Sequence, residues 1–474
     1  MVTGGRTLYR RRPPPPPRTA AGTVQIRCGI RLPAPPPAHA APLMATLLAL
    51  GSSTTVISDR QLRDAVAGAL ARLGERRRVL AIPPDITRLN SRSGPILGAV
   101  EELYRERLVD VLPALGTHVP MTDAQIARMY PGVPRGKFRD HDWRNDVVTV
   151  GTLPASFVKE ATGGIYDKPW PAQLNKLIVG GGHDLILSIG QVVPHEVTGM
   201  ANHAKNLFVG CGGKDGIDES HFVGAAYGME RMMGRADTPT RKLLNAGLER
   251  FCQQLPIVFV LTVVGPAAPG EAADHGGLVT RGVFVGDGTE CFELACKLSL
   301  EVNFKLVDRQ FRKVVVYLDP EEFHSTWLGN KAVYRTRMAI ADQGELIVLA
   351  PGVKGFGEDL GIDRLIRKYG YRTSPEVLRF VRENPDLAGS LSAAAHLIHG
   401  SSEGRFTVRY CTDQAKLSRA EVEGVGYQWG DLAEYQRRYD PAQLKDGWCT
   451  VAGEEIYYVS NPALGLWAWR GRFS

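Results

Sequence analysis

From Asp59 onward the chain alternates stretches with apolar residues every three to four positions and short continuous apolar runs, the pattern of helices leading into buried strands. Helices are predicted over 61–73 and 95–107, with strands over 79–83 and 109–115. A helix capped by Thr122 and beginning at Asp123 follows, then a loop rich in Pro, Gly and charge (131–145) and strands at 147–150 and 184–189. Residues 190–221 are rich in Gly and His, and strands are expected again at 257–264 and 282–285. Residues 265–290, with Pro, Gly and Asp, read as a connection between units. Beyond it come a helix (290–303), a strand (313–318), a helix (331–342), a strand (345–350) and helices near 360–368 and 375–382. The aromatic C-terminal segment is expected to pack back as mixed strands and turns.

This rhythm predicts the α/β class: two α/β domains, 44–275 and 276–474, with mostly parallel sheets and an active-site cleft between them. In such sheets ligands sit outside the carboxyl ends of the strands, so the loops there are where chemistry is sought.

Composition changes the picture at one end only. The 474 residues are 44% apolar and 23% charged, ordinary for a globular chain. The formal charge of +7 resides in residues 1–43, with seven Arg, no Lys and no acid; the remainder is balanced. A balanced body has no field to gather phosphates, which argues against nucleic-acid binding. Residues 1–43 also hold ten of the 31 Pro and lack apolar periodicity, so they read as a disordered extension, or as untranslated sequence with Met44 as the true start. The Arg triplet runs into prolines rather than an apolar segment, which speaks against export. Seven Cys form no CxxC pair, and no apolar run approaches the ~20 residues of a membrane helix, so a cytoplasmic, membrane-free protein is expected.

Four of the eleven His lie between 183 and 221 (His183, His195, His203, His221). A histidine at neutral pH serves equally as proton shuttle, metal ligand or satisfied core residue. Asp85-Ile-Thr87-Arg88 follows a strand end, where Arg88 suits a carboxylate or phosphate and Asp85 or Thr87 suits a helix cap. Gly116-Thr-His118 leaves the next strand at the same edge. Lys205, among small and apolar residues, is either a solvated cation or a desolvated nucleophile. Gly180-Gly-Gly-His183 and Gly210-Cys-Gly-Gly-Lys214 lack nucleotide-binding spacings and read as turns; Cys211 reads as a packed residue, and His396 and His399 as a half-buried helix face.

Taken in order, Asp85-x-Thr-Arg88, Gly116-Thr-His118, His195, Lys205 and His221, with gaps of ten and sixteen residues between the last three, resemble the nickel-dependent lactate racemase family. The resemblance runs from about residue 50 to the C-terminus, and the run Thr326 to Arg337 looks like that family's substrate-closing lysine helix. It implies a nickel-pincer nucleotide attached through Lys205, with His221 as nickel ligand and Thr87 as a further cofactor contact. It also implies His118 and His195 as the two bases, Arg88 and Lys331 on the substrate carboxylate, and Asp85 orienting the site. The N-terminal domain would then bind cofactor and catalyse while the C-terminal domain closes over substrate. The expected activity is inversion of C2 of a 2-hydroxyacid by reversible hydride transfer. The partners implied are that substrate and cofactor-biosynthesis proteins; the oligomeric state, with a homo-oligomer among the options, is left open. Met200-Ala-Asn202-His203-Ala stands where the family often has a glycine run, and Leu328 replaces a glutamine. Polar lining by Asn202 and His203 points to a larger sugar acid. Two other readings stay open: a zinc hydrolase using His118, His195 and His221, and a non-catalytic hydroxyacid-binding protein.

Overall fold

Two six-stranded sheets organise the chain. The structure, a computed structural model, describes residues 46–273 and 277–473; the reading of residues 1–43 and of Met44 as the start lies outside them. The first sheet holds β1 (Thr46–Gly51), β2 (Val79–Ile82), β3 (Leu108–Val111), β4 (Leu185–Gln191), β5 (Ile257–Pro266) and β6 (Leu278–Gly286) in the order β1-β6-β5-β4-β2-β3. Neighbours from β5 to β3 run parallel, while β1 and β6 are antiparallel at the other edge. The second sheet holds β7 (Phe311–Tyr317), β8 (Ile340–Ala350), β9 (Thr407–Thr412), β10 (Gln428–Asp431), β11 (Gly447–Val451) and β12 (Glu454–Val459) in the order β10-β9-β8-β7-β12-β11. Only the β11–β12 pair is antiparallel there. The α/β class with mostly parallel sheets is therefore observed.

The helices that matter are α1 (Asp59–Ala71), α2 (Ser93–Tyr104), α3 (Ala204–Phe208), α4 (Lys214–Tyr227), α5 (Pro239–Phe251), α6 (Thr289–Asn303), α7 (Lys331–Thr336) and α8 (Leu391–His399). Helix α1 starts where Ser58 and Gln61 form a reciprocal capping box, and it buries Leu62, Val66 and Leu70. These pack with Ile96, Leu97 and Val100 of α2 on one face of the first sheet; Phe208, Leu243, Phe292 and their neighbours cover the other. Strand β2 is buried on both faces, which is why it reads as a continuous apolar run instead of an alternation.

Two expectations change. Residues 265–290 include strand β6, because Leu278 to Gly286 pair antiparallel with Phe259 to Pro266 of β5. The helix expected over 331–342 stops at Thr336: the Phe311 amide donates to Ala339 O at 2.8 Å and Ile340 enters the sheet beside Phe311, so pairing overrides local helical preference. The stretch 190–221, legible only as Gly-rich and His-rich, contains a small hairpin, α3 and most of α4. Among the described residues no helix is long and apolar enough to cross a membrane, and the described cysteines are free.

Candidate active site

The loops after β2, β3 and β4 carry Asp85 and Arg88, His118, and His195, all at the carboxyl edge of the parallel strands. Asp85 caps a short 3-10 turn (Ile86–Ser91): its Oδ1 accepts from the Thr87 hydroxyl at 2.6 Å and from the Thr87 amide at 3.2 Å. Its Oδ2 lies 2.6 Å from His118 Nδ1. The cap and the chemical role thus use different oxygens of one carboxylate. Burial opposes ionisation of Asp85, but the hydrogen bond and charge of His118, then Thr87 and Arg88, hold it below the ordinary carboxylate value. An ionised Asp85 only accepts, so His118 Nδ1 donates to it and Nε2 is the nitrogen left to exchange a proton. The His118 loop is tied down where the Gly116 amide donates to Gly210 O at 2.8 Å, just past α3.

His195 stands in the hairpin Pro194–His195/Gly199–Met200, 5% exposed. Gly199 turns that hairpin at φ +78, and a Cβ there would stand 2.0 Å from Arg235 O, so no other residue fits. His195 Nδ1 lies 3.1 Å from the Val197 amide, which can only donate; Nδ1 is the acceptor and the proton sits on Nε2. Burial drives the His195 imidazole far below its usual value, with Lys205, Arg88 and Arg335 adding to the effect against Glu196, so the ring is neutral at pH 7. The two histidines are hydrogen-bonded in opposite senses, His118 donating through Nδ1 and His195 accepting there.

Lys205 lies on α3, one turn after two strained residues, Asn202 (φ 69) and His203 (φ 58). That strain is clamped by Arg241 of α5, whose guanidinium donates to Asn202 O at 3.1 Å and also to Met200 O. Burial, with Arg88 nearby, brings the Lys205 amine down to about 8, so a neutral, nucleophilic form is accessible. His221 on α4 donates Nδ1–H to Ile217 O at 2.7 Å, which aims a free Nε2 lone pair away from the helix, and burial lowers its pKa. This is how an imidazole is held to ligate a metal. Lys331 opens α7 from the other half of the chain, 14% exposed and 4.0 Å from Glu322. Burial brings it to about 8, and Arg88, Glu196 and Arg335 act on it.

Sequence reasoning missed four neighbours of this centre. Burial opposes ionisation of Glu196, beside His195, but its neighbours hold it below the carboxylate range, and of these Arg335 is the one that stays charged at neutral pH. Tyr334 and Arg335 belong to α7, and His399 belongs to α8; His396 and His399 are each 5% exposed instead of half-buried. The Lys331/Arg335 spacing of four was the available signal for the second cation. His203 proves structural: it is stacked between Phe259 and Phe292, with ring centroids 4.0 and 5.0 Å away, while Asn202 Oδ1 accepts from the His203 amide at 2.7 Å. The polar lining expected of that pair is absent from the His203 ring. His183 is likewise held in the core, 3.0 Å from Asp110. Among the described residues no three His, Cys, Asp or Glu side chains group as metal ligands would, so the three-imidazole zinc site is not assembled. The residues fit instead a group that brings most of its own ligands and needs one imidazole and one buried amine.

The family described as lactate racemase N-terminal domain matches residues 66–232, the span from Asp85 to His221. Among solved structures, the chain is similar to a Thermotoga maritima protein determined by the Northeast Structural Genomics Consortium, at 23% identity and a TM-score of 0.74, over 89% of this chain and 100% of that one. It is also similar to the lactate racemase apoprotein of Thermoanaerobacterium thermosaccharolyticum, at 16% identity and a TM-score of 0.64, over 87% and 93% of the two chains. Both likenesses concern the fold. No curated protein matches the chain.

Proposed function

We propose, from the match of residues 66–232 to the lactate racemase N-terminal domain family, that the protein is a racemase or epimerase inverting C2 of a 2-hydroxycarboxylic acid. The observation that carries this reading is the opposite hydrogen bonding of the two imidazoles: His118 Nδ1 donates to Asp85, and His195 Nδ1 accepts from Val197. Inversion needs one group ready to take the hydroxyl proton and another ready to hydrogen-bond the oxygen on the other side.

In this mechanism Arg88 and Lys331 hold the substrate carboxylate. His118 Nε2 accepts the hydroxyl proton of one enantiomer, and Asp85 stabilises the imidazolium that forms. On the opposite face His195 Nε2–H hydrogen-bonds the carbonyl oxygen of the transient ketoacid, and the new hydroxyl takes up one proton as the His118 imidazolium gives one back, so that both rings end neutral. A nickel-pincer nucleotide supplies, when bound, the acceptor and donor of the Cα hydride. Lys205 would attach it and His221 Nε2 would ligate its nickel, with Thr87 beside them through its contact with Asp85. Taking hydride avoids a carbanion next to a carboxylate, so the protein needs proton shuttles and cations but no strong base.

The test is incubation of cofactor-loaded protein with a panel of 2-hydroxyacids in heavy water, followed by chiral chromatography and mass spectrometry. Inversion with the α-hydrogen retained is expected. Absence of inversion on every acid, or efficient deuterium entry at C2, would overturn the reading.

A further inference from the structure

Arg335 follows Lys331 by four residues on α7, so both side chains leave one face of the helix. It is 1% exposed, yet its Nε and Nη1 reach no hydrogen-bond acceptor among the described residues. A guanidinium carries five donors and keeps its charge, so two buried nitrogens without acceptors are costly to leave unmatched. Its charged neighbours are Glu196 and Arg88, with the neutral Tyr334 phenol beside them, and it acts in turn on His195 and Lys331. It therefore faces the centre that the proposed mechanism uses. Glu196 places one negative charge nearby but makes no hydrogen bond to Nε or Nη1. Arg88 and Lys331 already serve a single carboxylate. A hydroxyl would satisfy one N–H without answering the charge, whereas a second anion answers both.

We propose that Arg335 binds a second anionic group of the substrate, which makes the substrate class 2-hydroxyacids bearing a further carboxylate or phosphate. This rests on the reading of the site as a hydroxyacid centre. It also replaces the polyhydroxy lining expected from His203, whose ring is spent on Phe259 and Phe292.

The test compares lactate with malate and glycerate with 3-phosphoglycerate, pairs that differ by one carboxylate or one phosphate. For cofactor-loaded native protein, kcat/KM is expected to favour the dianionic member of at least one pair by about a hundredfold, mainly through KM, the scale of one or two charge-assisted hydrogen bonds. A preference within the first pair identifies a carboxylate, and one within the second a phosphate. Arg335→Met should collapse that preference and Arg335→Lys restore part of it. Equal kcat/KM within both pairs of the native protein overturns the proposal without any variant, as does an Arg335→Lys or Arg335→Met loss equal for mono- and dianions. Calorimetry of the unloaded protein with malate, 3-phosphoglycerate and lactate separates the two levels. Arg335-dependent affinity for a dianion without inversion of any acid would leave the anion site standing and remove the racemase reading.

Discussion

Asp85 Oδ2 and His118 Nδ1 stand 2.6 Å apart, joining loops that leave two neighbouring strands thirty-three residues apart in the chain. One carboxylate fixes which nitrogen of the ring faces the substrate. Asp85→Asn keeps the shape and removes the charge, so kcat should fall by about 10² to 10⁴ with KM little altered. A KM effect alone would make Asp85 a cap and nothing more.

In the proposed mechanism His118 and His195 serve one proton path from its two sides. Alanine at either position should lower steady-state inversion by more than about 10²-fold, and the double variant should be scarcely worse than the poorer single. Additive losses, measured by polarimetry, would show that the two rings act independently.

Attachment and ligation are assigned to different residues, Lys205 and His221. After cofactor loading, His221→Ala should retain the mass adduct on the chain and lose nickel, whereas Lys205→Ala should lose both. Intact-mass spectrometry and elemental analysis read the two outcomes separately; nickel retained at native stoichiometry in His221→Ala would remove the ligand role.

The folded values of about 8 for Lys205 and Lys331 lie below that of an unfolded lysine. Between about pH 8 and pH 10.4 the unfolded chain binds more protons, so these groups make stability rise with pH. Lys205→Met should be more stable than the unloaded native protein at about pH 7.5, and its advantage should shrink by about 1 to 2 kcal/mol by about pH 9.5. Urea titrations at the two pH values check this, and an advantage that does not change with pH would show the lysine to be solvated.

Gly199 and Gly68 predict opposite signs. Alanine at 199 meets Arg235 O at 2.0 Å with φ at +78, whereas alanine at 68, inside α1, meets nothing within 4 Å. Gly199→Ala should cost about 2 to 4 kcal/mol and displace His195, while Gly68→Ala should stabilise by about 0.5 to 1 kcal/mol. Chemical denaturation of both variants decides it.

The parallel-strand core was legible because β2, β4 and β5 are largely apolar, β-branched runs, as strands buried on both faces require. The ordered set Asp85, Arg88, His118, His195, Lys205, His221 and Lys331 was singled out for a different reason, its resemblance in order and spacing to the lactate racemase family, since residue type alone left each with a structural alternative. Helix α7 was overextended because residues 337–342 have helical preference, and only the pairing with Phe311 ends it.

What the sequence alone determined is therefore the class of fold and the inventory of reactive groups, since both follow from local periodicity and side-chain identity. Which nitrogen of each histidine is protonated, that His203 is a core ring, and that Arg335 lies buried without acceptors beside Arg88 were decided by tertiary structure. Hydrogen bonds and desolvation come from residues distant in the chain, and no local pattern encodes who those neighbours are.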